Sequence, residues 1–104
     1  MRMLNLAAFL ALALSSTSNA ADGRNIYKQT CATCHAAGSA SEAPKLGVLA
    51  DWRARLAGGR SSLLHSVMKG KGAMPPKGGN ASISDAQANA ALDYMLSRIE
   101  EGHD

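Results

Sequence analysis

With 104 residues the chain has room for one domain. Eleven Lys and Arg against eight Asp and Glu give a net charge of +3, too weak a field to suggest nucleic acid as a partner. One Trp, two Tyr and one Phe supply little bulky apolar volume, so a core built from side chains alone would be marginal.

Arg2 precedes an apolar run, Leu4–Leu14, broken only by Asn5, and Ser18-Asn19-Ala20 follows as a small-x-small site. This is the build of a secretory signal peptide over residues 1–20, expected to be cleaved after Ala20. Read instead as a membrane anchor, the run falls short of the ~20 residues that a spanning helix needs. The mature domain is then residues 21–104, exported, and in a bacterium destined for the periplasm. Its apolar residues are mainly Ala, Leu and Met, which makes an apolar cofactor a natural part of its interior.

The first helix is expected to open at Asp22 or Gly23 and to run into Cys31-Ala32-Thr33-Cys34-His35. Gly23, Tyr27 and Cys31 are spaced by four and share one face. The two cysteines, with two residues between them and followed at once by His, read as a c-type haem attachment site. Each thiol can form a thioether to a haem vinyl group, and the next residue, His35, can then reach the iron as an axial ligand. A disulfide is the ordinary expectation for two cysteines in an exported chain, but the following His favours haem. A thiol–disulfide enzyme lacks the βαβ setting, and a zinc site lacks a second ligand pair.

Residues 36–50 are small and polar and stop at Pro44, which is loop chemistry. Asp51 is placed to cap a short helix carrying Trp52 and Arg55, ended by Gly58-Gly59. Ser61 or Ser62 opens the next helix, with Leu63, Leu64, Val67 and Met68 facing inward, ended by Gly70. Residues 70–80, rich in Gly with Pro75-Pro76, form an irregular shaped loop around Met74. Ser84 and Gln87 form a capping box for the last helix, whose stripe is Ala88, Ala91, Leu92, Met95 and Ile99. Glu100 to Asp104 is expected to fray. No strand pattern occurs anywhere, so the fold class is all-α.

The sixth iron ligand has several candidates. Met68 and Met95 lie on helix faces where packing is their ordinary role. Met74 lies in a loop stiffened by proline, with no packed face to fill, and is the favoured ligand. His65, mid-helix, is the nitrogen alternative, and His103 sits in the tail. Pro44 can accept a hydrogen bond from His35, or only shape its loop. Trp52 can donate to a haem propionate, or only pack.

Tyr27 with Cys31–His35, Ala43-Pro44-Lys45-Leu46-Gly47, Trp52 with Arg55 and Gly58, Gly70 through Gly79, Ser84-Asp85 and Tyr94-Met95 together resemble the class I c-type cytochromes, most closely the cytochrome c₅ group. The resemblance spans Gly23 to about Ile99. It implies an all-helical fold in which the first and last helices cross, with Gly23 and Tyr27 meeting the face of Ala91 and Tyr94. It also implies one covalently bound haem c, His35 and Met74 as the axial pair, and Pro44 as the acceptor from His35. Many members carry a second Cys pair where this chain has Asn80 and Ile83, so no disulfide staples the loop after Met74.

The function expected is single-electron transfer between redox proteins of a respiratory chain, such as a membrane-bound reductase and a terminal oxidase or reductase. No general base, nucleophile or substrate pocket is evident, and no enzymatic turnover or small-molecule substrate is expected. The alternative is a haem-based sensor with a replaceable sixth ligand. Lys69, Lys71 and Lys77 around Met74, with Lys28 and Lys45 around the Cys motif, suggest a basic collar for an acidic partner.

Overall fold

The computed structural model describes residues 19–100. Most of the expected signal segment and the tail after Glu100 lie outside them. Among the described residues five α-helices follow one another: α1 (Asn19–Ile26), α2 (Ala32–His35), α3 (Leu49–Leu56), α4 (Arg60–Lys69) and α5 (Asp85–Glu100). A π-helical turn, Tyr27–Cys31, joins α1 to α2, and a 3₁₀ turn, Pro76–Gly79, lies between α4 and α5. No strand occurs among the described residues.

The pairing of α1 with α5 organises the chain. It depends on Gly23, where an added Cβ would lie 2.2 Å from the Ala90 carbonyl oxygen. Only a residue without a side chain lets the two backbones come this close. One turn on, the Tyr27 and Tyr94 rings meet at 5.3 Å and 46°. The expected pairing of first and last helices is therefore present, with Tyr27 meeting Tyr94 as expected and Gly23 meeting Ala90, the neighbour of the expected Ala91.

The capping box is formed as expected: Ser84 N–H donates to Gln87 Oε1 over 2.8 Å, and Gln87 N–H to Ser84 Oγ over 3.0 Å. The α5 stripe Ala88, Ala91, Leu92, Met95 and Ile99 is buried throughout. Leu92, Met95 and Ile99 pack with Tyr27, Trp52 and Leu63, while Ala88 and Ala91 pack with Ile26 and Ile83. Arg60 ties the start of α4 to α5 through Asp93 (2.6 Å) and Asn89 (3.2 Å).

Three boundaries differ from expectation. Helix α1 already includes Asn19, ahead of Asp22. Helix α4 starts at Arg60, directly after Gly59, whose φ of +86° turns the chain. Helix α3 starts after Val48, and Asp51 lies inside its first turn. Asp51 is drawn off capping because its carboxylate accepts the Lys45 N–H over 3.1 Å.

Candidate functional site

The Cys motif is presented by an unusual piece of helix. At the π-helical turn the N–H of Ala32 reaches back five residues to the Tyr27 carbonyl. Such wide turns inside helices cluster at functional sites. Tyr27 is buried and Cys31 half-buried against the same cluster, while Cys34 is exposed. Both thiols are free, and burial pushes the Cys31 thiol up to about 11. Thiols that work in disulfide exchange are shifted the other way, which argues against a thiol–disulfide role.

The end of α2 is closed by two serines that sequence reasoning missed. Ser39 Oγ donates to the Thr33 carbonyl over 2.8 Å, and Ser41 Oγ to the Cys34 carbonyl over 2.7 Å. Ser41 Oγ in turn accepts the Ala43 N–H. Carbonyls at a helix C-terminus have no partner within the helix, and these hydroxyls satisfy two of them. Serines a few residues beyond the motif were the only sequence signal.

His35 is buried, and its Nδ1 lies 2.8 Å from the Pro44 carbonyl oxygen. A carbonyl cannot donate, so Nδ1 carries a hydrogen, and in the neutral imidazole Nε2 keeps its lone pair. Burial holds His35 below its ordinary value, and the nearby Lys45 and Arg55 charges push the same way, against the Pro44 bond. The neutral imidazole that a metal needs is thus the favoured form. The Leu46 N–H also donates to the His35 carbonyl over 2.7 Å, so residues 44–46 wrap the histidine.

Trp52 lies beside it, its ring 5.9 Å from the imidazole and inclined by 26°. The indole N–H, for which a propionate is one of two readings, donates to the Lys45 carbonyl over 2.8 Å. An indole has one donor hydrogen, so Trp52 supports the site from within the protein.

Met74 is half-buried, on the loop between α4 and the 3₁₀ turn. Lys71 and Met74 exchange both backbone hydrogen bonds at 2.9 Å, closing a tight turn in which Gly72 has φ +58°. Gly at the first central position of a two-residue turn takes that value without strain. At Gly70 (φ +84°) a Cβ would lie 2.8 Å from the Met74 carbonyl oxygen and 3.0 Å from Pro76 Cδ. The loop is therefore shaped by glycine and proline. Met95 is buried with Tyr27 and Trp52, Met68 is half-buried against the cluster of Ile26, Ile83, Ala88 and Ala91, and His65 is exposed on α4. His103 lies outside the described residues.

The basic collar is smaller than the sequence suggests. Lys28, Lys69 and Lys71 are exposed. Lys77 instead donates to the Ile83 carbonyl (2.9 Å) and pairs with Asp85 (3.1 Å). Lys45 is folded onto its own loop, donating to the carbonyls of Ser41 and Ala43.

The donor set suits a covalently held haem: two thiols on one helical turn, an imidazole with Nε2 available, and a thioether on a fixed loop. Comparisons with known proteins agree. Residues 18–95 match the family described as cytochrome c oxidase, cbb3-type, subunit III. Cytochrome c-555 of Chlorobaculum tepidum is 43% identical over 94 residues, covering 86% of each chain. Cytochrome c5 of Azotobacter vinelandii is 38% identical, covering 73% of this chain and 93% of its own. A chain in the crystal structure of an electron transfer complex of nitrite reductase with cytochrome c is 44% identical, with a TM-score of 0.67. That match covers 75% of this chain and 94% of the other. Fold, donor set and relatives together show that the chain belongs to the class I c-type cytochromes, a family that carries covalently attached haem c.

Proposed function

We propose that this chain is an exported single-electron carrier of the bacterial periplasm, shuttling between redox proteins of a respiratory chain and turning over no substrate of its own. The observation that carries the reading is the His35–Pro44 bond, which holds the hydrogen on Nδ1 and leaves Nε2 as the ligating nitrogen, directly after two free thiols. In this reading Cys31 and Cys34 would hold the haem through thioethers, and His35 and Met74 would be the iron's protein ligands.

The bound haem supplies a one-electron ferric–ferrous couple. Pro44 and the Gly-Pro loop would hold the two ligands in place, so little would have to move on electron transfer. A thioether favours the reduced state relative to a second imidazole. Export rests on the pattern of residues 1–20. Redox proteins as partners are supported by the cytochrome c found in complex with nitrite reductase. A membrane-bound reductase and a terminal oxidase or reductase are the expected donor and acceptor.

Visible spectra of the exported protein in both redox states, with and without carbon monoxide, test this. A six-coordinate ferrous protein that resists carbon monoxide is expected. Ready binding to the reduced protein would overturn the carrier reading in favour of a sensor.

A further inference from the structure

We propose that Lys45 is a positioning residue for the axial imidazole: an internal cation that fixes the peptide accepting from His35 and raises the reduction potential, with no part in docking. The proposal rests on the reading of His35 as an iron ligand.

A lysine in a small polar loop reads as solvated surface. Lys45 is half-buried, and each of its polar groups has a protein partner. Its N–H donates to Asp51 Oδ2 over 3.1 Å, and its carbonyl accepts from Trp52 Nε1 over 2.8 Å. Its ammonium donates to the Ser41 carbonyl and to the Ala43 carbonyl, the latter over 2.7 Å.

The Lys45 N–H and the Pro44 carbonyl belong to one peptide group, which is planar and trans. Asp51 holds one edge of that plane and His35 Nδ1 meets the other. The plane cannot rotate to improve one bond without spoiling its partner. The ammonium, bound to the carbonyl just before Pro44, steadies the approach to this peptide, and Trp52 steadies its exit. A ligating histidine is oriented and tuned by the acceptor on its second nitrogen. Residues that lock this acceptor therefore act on the iron through His35.

The charge adds a second effect. The Lys45 ammonium is bound to the carbonyl of Ala43, next to the Pro44 peptide that holds His35, so its charge lies close to the imidazole. A fixed cation there disfavours the more positive, oxidised state of whatever His35 binds. Its bonds to Ser41 and Ala43 keep it in place, which a freely solvated lysine would lack.

The test uses the haem-loaded protein and compares wild type with Lys45→Met and Lys45→Gln. Both variants keep the backbone bonds to Asp51 and Trp52 and lose the charge. At a fixed ambient potential, the ferrous-to-ferric ratio is expected to fall about threefold to tenfold in both, the scale of one partly screened unit charge. The salt dependence of association with an acidic redox partner is expected to stay as in wild type. A wild-type ratio in either variant, or a lowered salt dependence with an unchanged ratio, overturns the proposal. A wild-type spectrum lacking an imidazole-ligated low-spin iron overturns the reading of His35 itself, and the proposal with it.

Discussion

Gly23 of α1 and Ala90 of α5 meet so closely that the missing Cβ of Gly23 would lie 2.2 Å from a backbone oxygen. Backbone cannot swing aside as a flexible side chain can. Gly23→Ala must push the helices apart, at about 1–3 kcal/mol for overpacking, set against about 1 kcal/mol gained in helix propensity. With the clash on backbone, a net loss of about 2 kcal/mol is expected, or roughly 10 °C in Tm for a domain of this size. Thermal melts of the haem-loaded protein check it. A Tm within 2 °C or so of wild type would show that the crossing can relax.

Tyr27 sits one turn from Gly23 on the same seam, and its Oη is buried without a hydrogen-bond partner. Burial raises its ionisation above the ordinary tyrosine value, and Tyr94 and Cys31 add to the shift. The folded state thus holds this proton more tightly than the unfolded chain does. Its contribution is fully present below the unfolded value near 10.0 and is lost as pH climbs toward the folded one. Tyr27→Phe removes both the unpaired hydroxyl and this titration. It is expected to be neutral or up to about 1 kcal/mol stabilising at pH 7. It should also flatten the loss of stability above pH 10, as followed by urea unfolding across pH. A steeper alkaline loss in the variant would contradict this.

The helices and the capping box were legible because their signals are local: Ser84 and Gln87 need only each other, and the α5 stripe needs only its own period. The haem motif was legible for the same reason. Lys45 and Lys77 were not, because a loop lysine carries no mark of an internal role. Their acceptors are backbone carbonyls and a carboxylate whose positions exist only once the loops are folded. The π-helical turn was hidden too, since no residue of Tyr27–Cys31 encodes a bond to the fifth residue. Asp51 was misread as a cap because its competing partner, the Lys45 N–H, lies six residues away in an irregular stretch.

Ser41 shows how such a stretch is held. Its hydroxyl donates to the Cys34 carbonyl at 2.7 Å and accepts from Ala43 N–H at 3.2 Å, linking the motif to the loop that carries Pro44. Ser41→Ala leaves the helix end open and is expected to cost about 1 kcal/mol. Amide hydrogen exchange should quicken at Ala43 about fivefold, the same free energy read locally. Unchanged protection there would mean that water replaces the hydroxyl at no cost.

Lys28, Lys69 and Lys71 remain as the exposed cations around the motif and the Met74 loop. If they steer an acidic redox partner, Lys69→Glu with Lys71→Glu should slow association about tenfold at low salt. The difference should fade near 1 M salt, where the screening length is about 3 Å. Stopped-flow electron transfer at several ionic strengths measures both. Equal rates for wild type and the double variant at low salt would place the docking face elsewhere.

The loop after Met74 is held without a disulfide. Asn80 Nδ2 donates to Thr30 Oγ1 over 3.3 Å, joining this loop to the residue before Cys31. Gly78 lies against the same threonine, where a Cβ would come 3.0 Å from its methyl group. Lys77 anchors the far side through Ile83 and Asp85, and Ile83 is itself buried against Ile26 and Ala88. Asn80→Ala and Thr30→Val each break the Asn80–Thr30 bond, the second while keeping the methyl contact with Gly78. Each is expected to cost about 1 kcal/mol, and the double variant little more than either alone, with a coupling of at least ~0.5 kcal/mol. Because the clasp borders the Met74 loop, either single variant should also admit carbon monoxide to the reduced protein about fivefold faster, the kinetic equivalent of 1 kcal/mol. Additive losses with an unchanged carbon monoxide rate would show that Met74 is held by its own turn and by Gly70 alone.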